Sequence, residues 1–158
     1  MLSVASLAFA QRARGSFVGV WRLVSSESKD KTTGEVRYPY GPKPVGRLTY
    51  DAEGRISAQL MDPGRRKIGG PPGGSSAAAI RGAAPEDMRE VLAGFTAYFG
   101  TYAVDESSQT VIHHVQAHLI PSFVGADIRR KYEFASGDQL ILSFDEGANR
   151  VIWQRDRG

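Results

Sequence analysis

Eight short segments rich in Val, Ile, Leu and Tyr, most of them alternating apolar with polar residues, follow one another along the chain with turn residues between them. They cover 18–27, 45–50, 55–61, 100–105, 110–119, 127–134, 139–144 and 150–155, and a two-residue period of this kind predicts half-buried β-strands. The links Asp51–Gly54, Glu106–Gln109, Ala135–Asp138 and Asp145–Asn149 are of hairpin length, so sequence neighbours are expected to pair antiparallel in up-and-down order. Eight such strands closed into a barrel have no sheet edges and enclose an interior that side chains fill or that holds one small ligand. A two-sheet sandwich suits eight strands as well, and periodicity does not separate the two.

At 158 residues the chain fits one domain, and a domain of this size buries enough surface to fold without a disulfide or a metal. The absence of cysteine excludes a thiolate nucleophile and any Cys-ligated metal centre. The formal charge is +3, spread along the chain. The two dense basic runs, Arg65–Lys67 and Arg129–Lys131, are not interleaved with aromatics, which speaks against a nucleic-acid partner. No apolar run approaches the ~20 residues that span a bilayer, so no integral membrane association is expected.

Residues 1–16 read as an N-terminal extension and 17–158 as the barrel domain. Leu2–Ala10 is apolar and ends in Ala8-Phe9-Ala10, a small-x-small pattern without a positive segment before it. It reads as a short docked helix or as a truncated signal. A cytoplasmic chain is expected, or a periplasmic or secreted one if residues 1–10 are such a signal. Nothing in the sequence sets an oligomeric state.

One helix is predicted over 86–99: Pro85 suits its first turn, Glu86 and Asp87 favour its N-terminus, and Gly100 follows as a stop. Met88, Val91, Leu92, Phe95, Tyr98 and Phe99 form its apolar face. Before it, ten of the 24 residues of Asp62–Pro85 are Gly or Pro. This predicts a long loop that covers the barrel mouth together with the helix, with Arg65, Arg66 and Lys67 steering an acidic ligand, or else an insertion without a role.

Gly19-x-Trp21 opens the first strand and Trp153-x-Arg155 closes the last. Tyr38-Pro-Tyr-Gly41 with Pro44-Val-Gly46, Tyr50–Gly54 leading to Ser57–Met61, and Tyr98-Phe-Gly-Thr-Tyr102 followed by His113 stand between them. In these stretches, spanning roughly 17–155, the chain resembles the bacterial and fungal lipocalin-like domain family, a calycin-type group distinct from the secreted lipocalins. The resemblance implies an eight-stranded antiparallel barrel with a central pocket, in which Trp21 seals the floor and Arg155 stacks across it. Related barrels include ligand carriers as well as cyclases and isomerases of natural-product pathways.

Within that frame, Val111, His113, Val115 and Ala117 share the apolar face of their strand, while His114 and His118 fall on the other. Symmetric closure of the 106–109 link places Tyr102 opposite His113, as a structural pair or as ligand contacts. Arg130 lies on the apolar face of its strand with Tyr132, and an inward Arg needs a carboxylate or an acidic ligand. Symmetric closure of 51–54 sets Gly46 opposite Gln59 and turns Gln59 inward, although the greater hydrophobicity of Ile56, Ala58 and Leu60 argues for the opposite register.

The candidate ligand-binding set is therefore Gln59, Tyr98, Tyr102, His113, Arg130 and Tyr132, for a small hydrophobic or acidic ligand. The alternative is a cofactor-free cyclase, isomerase or dehydratase of a secondary-metabolite pathway, with His113 as acid/base, Tyr102 orienting it and Arg130 stabilising negative charge. No metal site is expected, since His114 and His118 on a strand stand ~13 Å apart. The glycine-rich stretch at 69–74 lacks the Lys and Ser/Thr of a phosphate-binding loop, so no cofactor is expected either.

Overall fold

A computed structural model describes residues 14–70 and 73–158. The N-terminal extension up to residue 13, including the signal-like stretch, lies outside the described residues. Among the described residues, nine strands form one sheet: β1 (Gly19–Lys29), β2 (Val36–Arg37), β3 (Val45–Tyr50), β4 (Arg55–Met61), β5 (Phe95–Asp105), β6 (Thr110–His118), β7 (Asp127–Ser136), β8 (Gln139–Phe144) and β9 (Asn149–Asp156). Strands β3 to β9 pair in sequence order, β1 pairs with β3, and β1 also pairs with β9. That last pairing runs from Val20↔Asp156 to Ser28↔Asn149 and closes the sheet. The eight expected strands make a closed antiparallel barrel, and the two-residue β2 is an appendage on the end of β1. No helix among the described residues is long and apolar enough to cross a membrane.

One end of the barrel is plugged. Residues 14–17 are helical and carry Phe17, with no exposed surface, into the barrel floor. Its ring meets Tyr132 at 5.0 Å, Phe134 at 5.1 Å and Tyr50 at 5.2 Å, all edge-on, the geometry that aromatic quadrupoles favour. The Trp21 indole N–H donates to the Phe17 carbonyl at 2.8 Å. Arg155 lies with its guanidinium carbon 4.1 Å from the Trp21 ring centroid and donates to the carbonyls of Val18 and Ser16, each at 2.8 Å. Trp21, Arg155 and Phe17 thus meet at this end of the barrel.

The segment before β5 departs from the sequence reading. Helix α2 (Pro85–Ala93) stops at Gly94, whose N–H bonds to the Glu90 carbonyl, and Phe95 already belongs to β5. The expected helix to residue 99 is therefore too long. Phe95, Tyr98 and Phe99 fit a helical period, but Thr96, Tyr98, Gly100 and Tyr102 equally fit the two-residue period. Pairing of Met61 with Phe95 and of Ala58 with Tyr98 settles the choice in favour of strand. The expected loop contains helix α1 (Ser76–Gly82), capped by Ser75, whose hydroxyl accepts from the Ala78 N–H. Its alanines favour helix where the surrounding Gly and Pro obscured it. Neither helix buries a residue.

A bulge in β6 redirects the interior. Phe99 pairs with Ala117 and Gly100 with Val115, leaving Gln116 extra. One extra residue reverses which side chains face inward, so Val111, His113 and Val115 point in and, past the bulge, His118 does too, opposite Tyr98. This corrects the expectation that His118 faces away from the interior. Only glycine fits at position 100, because a Cβ there would lie 1.9 Å from the His114 carbonyl oxygen. Gly100→Ala is expected to cost about 3 kcal/mol, whereas Gly137→Ala, with open space around it, should stay within about 0.5 kcal/mol. Urea denaturation of both variants measures the difference, and equal stabilities would contradict the bulge.

Candidate functional site

The end of the barrel opposite the floor is open and holds a cavity of about 350 Å³. Leu60, Ile128, Leu142, Phe144, Val151 and Trp153 supply apolar wall. Polar groups come from Tyr40, Thr96, Tyr98, His118, Arg130 and Arg150, with Glu27 opposite Arg150. Among the described residues, the lining includes none of 62–70 or 73–94. Ile120 and Phe123, from the turn between β6 and β7, and Pro39 and Tyr40, from the β2–β3 link, border the cavity instead.

The described part of the expected cover therefore does not border the cavity. Arg65 donates to the Asp62 and Val91 carbonyls and lies 4.9 Å over the Phe95 ring. Arg66 pairs with Asp87 and Glu90. These two arginines staple α2 to the segment before it, and neither is free to steer a ligand.

His113 is the centre of the polar interior. It is 1% exposed and both ring nitrogens are engaged: the Tyr50 hydroxyl lies 2.7 Å from Nε2 and the Tyr98 hydroxyl 2.9 Å from Nδ1. Burial, helped by the charge of Arg130, lowers its pKa to about 3, so it is neutral at physiological pH. Burial also raises both phenols, Tyr98 to about 12 and Tyr50 well above its usual range, so both keep their protons.

Of the six candidates, Tyr98 and Arg130 line the cavity and His113 stands directly behind Tyr98. Tyr102 does pair with His113 in register, but its hydroxyl donates to the Asp51 carbonyl at 3.1 Å and its ring packs on Tyr50 at 4.7 Å, toward the floor. Tyr132 likewise packs against Phe17. Each lies on the interior face, yet a strand of a tilted barrel runs from floor to mouth, and these positions fall at the floor end. Gln59 pairs with Arg47 rather than Gly46, and its amide donates to Ser57 at 2.7 Å. Ile56, Ala58 and Leu60 take the inward face, so the hydrophobicity argument, not the symmetric turn, identifies the register.

Arg130 is held with its guanidinium carbon 4.0 Å from the Phe144 centroid and donates to the Arg129 carbonyl. Burial lowers its pKa. His118 stacks between Tyr98 and Phe123, at 5.5 and 4.8 Å, and its Nδ1 accepts from the Ile120 N–H. Burial lowers His118 as well. The sequence reading missed Tyr50, Tyr40, Thr96 and His118. Tyr50 closes its strand in phase with the inward Leu48, a signal that was available. Among the described residues no cluster of three or more His, Asp or Glu is placed to hold a metal. His114 pairs with Asp127 at 2.6 Å on the surface.

The lipocalin-like domain family profile matches residues 18–155. The chain belongs to that family. The match covers every strand of the barrel from β1 to all but the last residue of β9. Membership suggests binding of hydrophobic small molecules in general. Among solved structures, a DUF4847-family protein from Bacteroides vulgatus aligns at 13% identity with a TM-score of 0.43, over 90% of this chain and 95% of that one. No curated protein matches the chain.

The buried neutral state of His113 makes stability pH-dependent. The unfolded chain takes up a proton below about 6.5, while the folded protein resists it down to about 3. Stability is therefore complete above about 6.5 and declines as pH falls toward 3. Thermal melts should show Tm falling between pH 6.5 and 4, with a flatter profile in His113→Gln. Parallel profiles would mean that His113 does not carry the effect.

Proposed function

We propose that the protein binds a small hydrophobic molecule in the open-end cavity. The supporting observation is the cavity itself, about 350 Å³ bounded by Leu60, Ile128, Leu142, Phe144, Val151 and Trp153. That volume falls within the roughly 300–1,000 Å³ range of small-molecule sites, which combine apolar walls with few polar groups. The Phe17 plug occupies the other end of the barrel.

The enzymatic alternative asks His113 to exchange protons with a substrate. Its nitrogens are both bonded to tyrosines, and Tyr98 stands between it and the cavity. A general base needs hydrogen-bond reach of the proton it removes, so this arrangement supports binding over catalysis.

An environment-sensitive anilinonaphthalene dye should bind saturably with a stoichiometry of one and be displaced by a medium-chain hydrocarbon ligand. Ile128→Trp, which fills the cavity from its wall, should weaken binding about tenfold or more while the circular dichroism spectrum stays that of a folded barrel. Absence of saturable binding, or unchanged binding in Ile128→Trp, contradicts the proposal.

A further inference from the structure

The hydrogen-bond chain through His113 has a direction, and the direction follows from where its protons can go. A neutral imidazole carries one N–H donor and one acceptor nitrogen. One of the two tyrosines must therefore donate to the ring, and the other must accept from it. Tyr50 is 1% exposed, and among the described residues the partner of its hydroxyl is His113 Nε2. If Tyr50 accepted from His113, its own O–H would be left buried without an acceptor, at a cost of about 1–3 kcal/mol.

The satisfied arrangement has Tyr50 donating to Nε2 and the Nδ1–H donating to the Tyr98 oxygen. The Tyr98 proton is then free, and Tyr98 lines the cavity. Arg130 lines the same cavity. Arg150 across the cavity faces Glu27 at 3.8 Å, but among the described residues Arg130 has no carboxylate within 4.0 Å. Stacking on Phe144 positions the guanidinium without neutralising it.

Resting on the binding function proposed above, we infer that the ligand is an amphipathic monocarboxylate, whose head group accepts from the Tyr98 hydroxyl and ion-pairs with Arg130 while its hydrocarbon tail lies on Leu60, Leu142 and Val151. His113 and Tyr50 are positioning residues: they turn Tyr98 into an obligate donor. Two donors, one of them cationic, line one largely apolar cavity, and hydrogen bonds to a charged group are about twice as strong as neutral ones. A neutral alcohol or a cationic amphiphile would leave the Arg130 charge uncompensated.

The test compares dodecanoate with dodecan-1-ol by calorimetry and reads the His113 tautomer by ¹⁵N NMR of the ligand-free protein. Dodecanoate is expected to bind at least about tenfold tighter than the alcohol. Arg130→Gln should erase that preference, and Tyr50→Phe should reduce it by freeing the ring to reverse. The NMR spectrum should show His113 protonated at Nδ1 with a bare Nε2. Equal affinity for the two probes, or protonation at Nε2, overturns the inference while leaving hydrophobic binding intact. Failure of both probes to bind overturns the binding function and the head-group assignment together.

Discussion

The guanidinium of Arg155, laid over Trp21 and bonded to the carbonyls of Ser16 and Val18, ties the last strand to the segment that enters the first. Such a stacked cation contributes about 0.5–2 kcal/mol, and here it also satisfies two carbonyls at the barrel floor. It secures the β1–β9 seam at its floor end, where Trp21 pairs with Arg155. It also fixes the helical turn that inserts Phe17 among Tyr50, Tyr132 and Phe134. Because the floor is filled, the space left inside the barrel lies at the opposite end.

The polar groups of the interior divide along the same axis. Near the floor, Tyr102 and Trp21 bond to backbone carbonyls and belong to the packing. Midway, Tyr50, His113 and Tyr98 form a chain that begins in the fully buried core and ends in the cavity wall. At the mouth, His118 stacks against Phe123 and Arg130 against Phe144. A buried histidine kept neutral by desolvation acts here as a rigid connector between two phenols.

Most of the barrel was legible in the sequence because its strands alternate and its turns are short. The β3 to β4 and β7 to β9 strands match their expected spans within two residues, and Tyr102 stands opposite His113 as the four-residue link implies. What failed has physical causes. Around residues 95–99 the aromatics satisfy two periods, and long-range pairing with β4 decides between them. His118 faces inward because Gln116 is an extra residue, and a single insertion reverses every later side chain. Tyr50 meets His113 across strands that are distant in sequence, which hairpin arithmetic does not reach. Arg130 was readable as inward, but its lack of a carboxylate partner is a property of the assembled wall.

The barrel has one closed end, one open end and a directed polar wall between them. A crystal structure with an ω-brominated dodecanoate measures this most directly, since anomalous scattering locates the tail and the density locates the carboxylate. The bromine is expected within the cavity bounded by Leu60, Leu142 and Val151, with the carboxylate between Tyr98 and Arg130. A fatty acid seated among Phe17, Tyr102 and Tyr132, or one with its carboxylate turned away from Arg130, would contradict it.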